Sequence, residues 1–273
     1  MKFLLRLLLS VVIVLPALPS RAQTADMMRE DTMLFSRPLW NFWLGPSMVQ
    51  AAWLEGTPTE QTVSPRSSVS GQAGFDYIHP LGIRFGLRTG LHVGNAPYRI
   101  RLELFRYPGN NLATDVQGIV ISNYDQYYAN VPVQLEFRRR GGENHYQVAR
   151  LGLVGVMGMS RDASGETYVQ PTSSGQDIEV FQLKLSTPIK SFVRPAFAAS
   201  LGIYMVQKNH HLFSMQLSGR YLFKPLLSGT YELFPGTADD TRGTAEIYGN
   251  YIGVELGYTL TKFRQQEQNS RAE

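Results

Sequence analysis

Two things this chain lacks narrow its identity more than anything it contains. It has no cysteine in 273 residues, which excludes a disulfide framework, thiolate chemistry and a lipid-bearing N-terminal cysteine. Beyond residue 22 it also has no run of ~18 consecutive apolar residues, the minimum for a helix that crosses a bilayer. In lipid only helices and closed barrels satisfy their own backbone polar groups. Any membrane form of the rest of the chain must therefore be a barrel. Histidine and tryptophan are scarce, five and three residues, and no G-x-S-x-G motif is present to mark a serine nucleophile.

The apolar residues that do run together lie at the start. Lys2 and Arg6 precede an almost wholly apolar stretch, 7–18, and Pro16 and Pro19 break it before Ser20-Arg21-Ala22. Small residues at Ser20 and Ala22 fit a signal-peptidase site, so residues 1–22 are expected to be a signal peptide cut after Ala22. The dozen or so apolar residues fall short of the ~20 a membrane anchor needs. Residues 1–22 hold Lys2, Arg6 and Arg21 and no acid, so the formal charge of +4 drops to +1 without them. That balance gives no ground for a nucleic-acid partner.

The remaining 251 residues alternate with a period of two. In 248–262, Tyr248, Ile252, Val254, Leu256, Tyr258 and Leu260 share one face, broken only by Asn250. Gly249, Tyr251, Gly253, Glu255, Gly257, Thr259 and Thr261 share the other. At 3.6 residues per turn these sets would scatter around a helix, so the segment is a strand. The same alternation recurs at 211–223, 192–207, 127–138 and 82–93, and in shorter or blurred form at 70–78 and 145–159. The first strand, around 40–54, changes parity near Gly45-Pro46, which predicts a bulge.

These segments make eight strands, and the links between them alternate in length: long at 55–69, 94–126, 160–191 and 224–247, short at 79–81, 139–144 and 208–210. The short links carry turn chemistry, as in His79-Pro80-Leu81-Gly82, Gly141-Gly142-Glu143-Asn144 and Lys208-Asn209-His210. Short turns at one end and long loops at the other are the layout of outer-membrane barrels. The expected fold is thus all-β: a closed antiparallel transmembrane β-barrel over 39–263, with a periplasmic segment 23–38 before it and a polar tail 264–273 after it. Within two long links, 98–105 with 118–122 and 166–170 with 178–185 look like hairpins that prolong barrel strands beyond the membrane; counted as membrane strands, one such pair would make ten.

Charge falls on the faces opposite the apolar ones. Asp76, Arg84, Arg88, Glu136, Arg194, Arg220 and Glu255 are expected in the lumen, as a structural ion-pair network that fills a barrel of this size with its own side chains. His92 is the single inward histidine, near the outer rim, without a nucleophile context; His79, His145, His210 and His211 fall at turns. The His210-His211 pair lacks the further ligands of a zinc site. No catalytic group, metal or cofactor is expected. Trp40, Trp43 and Trp53 bracket the first strand, where interfacial aromatic girdles would place them.

The segment Tyr128-Ala129-Asn130-Val131-Pro132-Val133-Gln134-Leu135-Glu136-Phe137 and the closing Gly253-Val254-Glu255-Leu256-Gly257-Tyr258 resemble the outer-membrane β-barrel domain common in Bacteroidota. That group includes PorT-like proteins within the broader OmpA/OmpX-like barrels. The resemblance covers roughly 38–263 and rests on barrel grammar; it implies eight strands, outer-membrane residence and no transferable active site. It also implies that some members assist type IX secretion or gliding. Three function classes follow: a structural or surface-interaction barrel, an accessory subunit of an envelope secretion machine, and a narrow channel or rim-located hydrolase. Its expected partners are outer-membrane lipid and envelope proteins met through hairpins or periplasmic turns.

Overall fold

The computed structural model describes residues 25–56, 62–105, 112, 115–159, 162–169, 178–186, 193–207, 210–235 and 240–261. The expected signal peptide, the turn residues 208–209 and the tail 264–273 lie outside them. A helix, α1 (Ala25–Phe35), precedes β1 (Leu39–Val49). It ends before Arg37-Pro38, where the proline ring disfavours helical backbone at the residue before it. The chain continues through β2 (Trp53–Glu55), β3 (Thr62–Arg66), β4 (Ser68–Pro80), β5 (Phe85–Asn95), β6 (Tyr98–Leu104), β7 (Val116–Asn123), β8 (Tyr127–Arg140) and β9 (His145–Gly158). Then follow β10 (Ala163–Val169), β11 (Ile178–Ser186), β12 (Arg194–Val206), β13 (Leu212–Leu222), β14 (Leu227–Leu233), β15 (Thr241–Ile247) and β16 (Tyr251–Leu260).

Eight of these strands close a barrel in the order β1-β4-β5-β8-β9-β12-β13-β16, with β16 returning to β1. Every neighbouring pair is antiparallel. This is the eight-strand, up-and-down architecture that the alternation and the link lengths predict.

Period two decides what faces where. Along β1, Leu39, Asn41, Trp43, Gly45, Ser47 and Val49 point inward and are buried, whereas Phe42, Leu44 and Met48 are exposed. The expected bulge at Gly45-Pro46 is absent: the β1–β4 register runs unbroken from Leu39↔Ile78 to Val49↔Ser68. The β1–β16 ladder skips 45–46 without shifting register, because Pro46 has no N–H to donate and a side chain at Gly45 would strike the Val254 carbonyl. The apparent change of parity arises because β1 ends at Val49 and the residues after it join another sheet. The last strand likewise begins at Tyr251, so Tyr248 is not part of it.

The four long connections do not prolong the barrel strands, as expected of the hairpins, but fold into two further sheets. One has the order β10-β11-β14-β15-β2, the other β3-β6-β7. β2 and β3, both from the first connection, enter different sheets: β2 pairs with β15 and β3 with β6. β11 from the third connection pairs with β14 from the fourth. Alternate residues from both sheets bury one shared apolar core that includes Val63, Ile100, Leu102, Phe181, Leu183, Tyr231, Leu233 and Ile247. A sheet face must bury its apolar side against something, and here the loops supply each other. The result is a two-sheet head over one end of the barrel.

Candidate functional site

The lumen gathers chemistry-bearing side chains among the described residues, and it is filled in three layers. At the short-turn end, α1 folds up into the barrel mouth. Asp31, Leu34 and Phe35 lie three and four residues apart on one stripe of the helix and are all buried. Phe35 packs edge-on against Tyr146, ring centroids 4.8 Å apart, and lies under the Arg138 guanidinium at 4.7 Å. Leu34 and Phe35 form one apolar cluster with Leu39, Ile78, Tyr146, Val148, Tyr204 and Leu212. Arg140 clamps the helix by donating to Asp31 at 2.6 Å and to Glu30 at 2.7 Å, and Tyr146 also donates to Asp31.

The middle layer is ionic. Asp76 accepts from Arg88 at 2.6 Å and from Asn41 at 3.2 Å, and its other oxygen lies 2.7 Å from His92 Nε2. Arg88 reaches on to Gln134 at 3.0 Å and to Glu255 at 3.6 Å. Glu136 is fully enclosed and takes Arg138 on one oxygen at 2.5 Å and Arg150 on the other at 2.7 Å, with Tyr204 donating at 2.9 Å. Arg150 also stands 3.8 Å from Glu255. Three arginines thus face three carboxylates, and Asn41, Gln134 and Tyr204 add hydrogen bonds, while Arg88 Nε, both terminal nitrogens of Arg138, Arg150 Nη1 and Glu255 Oε2 are buried without a hydrogen-bond partner. Charge pairing across the layer offsets the cost of burying these ions.

The upper layer, under the head, is mostly apolar: Ala96, Val154, Val156, Ala196, Ala198, Leu222 and Leu226 around Tyr128. Arg220 enters it between two rings, 4.1 Å from the Tyr128 centroid and 4.9 Å from that of Tyr251. It donates to Asn130 at 2.8 Å and to the Gly249 carbonyl at 2.7 Å. Arg194 is buried nearby.

Six of the seven charges expected in the lumen, Asp76, Arg88, Glu136, Arg194, Arg220 and Glu255, are buried inside the barrel. Arg84 is not. It sits exposed in the bend 81–84, its carbonyl accepting from the Arg138 amide at 2.8 Å. Because β5 begins at Phe85, strand alternation does not extend to residue 84.

Two lumen arginines escaped the sequence reading. Arg138 follows Glu136 by two positions on the same inward face of β8, at the end of the expected strand 127–138. Arg150 lies in β9, whose inward Tyr146, Val148, Val154 and Val156 are as apolar as its outward side and blur the alternation. Trp43 leaves the expected girdle: it points inward and packs edge-on against His92 at 4.8 Å. Trp53 is exposed on β2 in the head. Trp40 remains on the outer face, stacked on Phe75 at 5.1 Å.

His92 and Asp76 form the base-and-orienter half of a catalytic triad, yet among the described residues no hydroxyl hydrogen-bonds His92. The remaining histidines stay at the short-turn end, His211 receiving a hydrogen bond from the Thr261 amide at 3.2 Å.

Comparison with protein-family models and with curated proteins finds no match. Among solved structures, the chain is similar to the outer membrane protein OprG from Pseudomonas aeruginosa, at 11% identity and a TM-score of 0.43, covering 83% of this chain and 97% of that one. It is also similar to Ail, the attachment invasion locus protein of Yersinia pestis, solved with the heparin analogue sucrose octasulfate (12% identity, TM-score 0.29, 82% and 99% covered). A third is the beta domain of the Bordetella autotransporter BrkA, at 8% identity and a TM-score of 0.25, with 82% and 98% covered. Likeness at this level adds nothing on function, and the architecture stands on its own strand pairing.

Proposed function

We propose that this protein is a bacterial outer-membrane barrel that holds its two-sheet head at the cell surface, in a structural or surface-interaction role, with a lumen closed to solutes. The observation that carries the reading is the inversion of polarity. The outward positions of the eight barrel strands carry no Asp, Glu, Lys or Arg except Arg139 at the end of β8, while the ions are inside. Exposed Phe42, Leu44, Leu91, Val133, Leu153, Leu217, Val254 and Leu256 would form a patch no water-soluble surface tolerates. In lipid that same belt is the required solvent face, and the long-loop end is the outer one. The expected signal peptide supports export to that membrane.

The lumen is stacked with α1, the ion network and the upper apolar layer, which supports a plug over a pore. Reconstitution of the processed chain in a planar bilayer is expected to give no steady current above the bare membrane; stable conductance steps would overturn the plugged reading.

The resemblance to PorT-like barrels of Bacteroidota motivates a second reading, an accessory subunit of a type IX secretion machine. Met28 and Met33, apolar side chains exposed on α1 at the short-turn end, favour it because either offers an apolar contact point on the periplasmic side. Crosslinking from Met28 in intact envelopes distinguishes the two: adducts with periplasmic secretion components support the second, adducts formed only from the head support the first.

A further inference from the structure

The two sheets of the head carry opposite charge on their outer faces. Register places Ser64 beside Arg101 and Val120, and Arg66 beside Arg99 and Ser122, on the side of β3-β6-β7 turned away from the shared core. Among the described side chains that face holds three arginines and one acid, Glu103, which lies 3.0 Å from Arg101. The outer face of the five-stranded sheet holds Glu55, Glu166, Glu232 and Glu246 against Lys184 and Arg242.

Arg66 and Arg99 are the unusual pair. They are direct partners across β3 and β6, and both are exposed. Their side chains start roughly 5 Å apart, a spacing at which like charges destabilise a sheet. Among the described residues neither has a carboxylate within ion-pair distance. An anion between them removes the repulsion, and guanidinium forks fit the oxygens of a phosphate.

Their position supplies the anion. β3 runs into β4 with only Ser67 between them, and Val69, 71% exposed, is the first outward apolar residue of β4. Arg66 is three residues from Val69, no more than about 10 Å along a strand, and the register holds Arg99 at the same level. Tyr127, exposed at the start of β8, marks that end of the apolar belt with the kind of ring found at membrane interfaces. The headgroup layer beyond the hydrocarbon is about 5–7 Å deep, so the long side chains at 66 and 99 reach phosphate level. The face is open, and a headgroup approaches it from the side without entering the barrel.

We infer that Arg66 and Arg99, with Arg101 above them, form a clamp for the phosphate headgroup of a lipid in the outer leaflet. This rests on the outer-membrane placement of the head. The clamp draws the β3-β6-β7 side of the head, and not the acidic side, toward the lipid surface.

The probe is bisphosphorylated lipid A, with its dephosphorylated form for comparison. The full processed chain is folded into phosphatidylcholine vesicles containing one or the other, extracted in mild detergent and passed through gel filtration. Wild type is expected to keep about one phosphorylated lipid per chain, read by mass spectrometry, and to release the dephosphorylated one. The double variant Arg66→Gln, Arg99→Gln should lower that retention at least about tenfold, and Lys184→Gln, on the other face, should leave it unchanged. These positions are exposed, and heat-modifiable gel mobility confirms that each variant folds. Inorganic phosphate at the same concentration should not displace the lipid; displacement would assign the pair to a free anion and overturn the lipid clamp. Equal retention of both lipids, or undiminished retention in the folded double variant, would also overturn it. So would a dimer in place of bound lipid, which would assign the face to a second copy. A chain that stays dissolved without detergent would overturn outer-membrane residence, and the clamp with it.

Discussion

Glu136 shows how much a single interior side chain does. It receives two arginines and a tyrosine in a space with no water contact. Glu136→Gln leaves two guanidiniums short of a counter-charge, and breaking a buried pair in this way costs about 3–5 kcal/mol. A fall of that size in unfolding free energy, measured by urea titration in detergent, is the expected result. The outer face obeys the opposite rule. Leu256→Arg puts a charge into the apolar belt and should cost about 2–4 kcal/mol near mid-membrane. Thr259→Ser keeps the hydroxyl that donates to Asn41 at 2.9 Å and should be nearly silent. Equal losses at 256 and 259, which lie on opposite faces of β16, would mean that the facing is misassigned.

Among the elements, α1 is the least expected and the easiest to test. Its grip on the barrel comes from Phe35 in the apolar mouth and from the Arg140 clamp on Glu30 and Asp31. Phe35→Ala should cost about 3 kcal/mol, as large-to-small changes at buried aromatic sites do. It should also expose residues 25–35 to protease well before the barrel strands yield. Simultaneous loss of helix and barrel would show that the helix is part of the barrel's cooperative unit rather than a plug held by it. The helix was not legible beforehand because 11 residues with one short buried stripe carry little periodicity. Only the open barrel mouth makes that stripe worth burying.

For the whole molecule, closure governs behaviour. A sheet with no free edge resists detergent, so the folded chain should run at a different gel mobility from the boiled one; identical mobilities would mean that β1 and β16 do not meet. Among the described residues the two head sheets are open. Their outer strands β10, β2, β3 and β7 end the two sheets among the described residues, and such edges are where a partner's strand can add.

Eight barrel strands, the inward and outward faces of β4, β5, β8, β12, β13 and β16, and the alternation of short and long links were readable from residue order, because each depends on period two and on turn chemistry within a few neighbouring residues. Six lumen charges followed from the same rule, and Arg84 failed it only because its strand starts one residue later. Three things required the folded chain: the pairing of hairpins from separate connections into a head with its own core, the seating of α1 in the barrel mouth, and the partners each lumen arginine finds. Those depend on contacts between segments far apart in sequence, where local pattern is silent and three-dimensional proximity alone settles which apolar face or which charge is available to be buried.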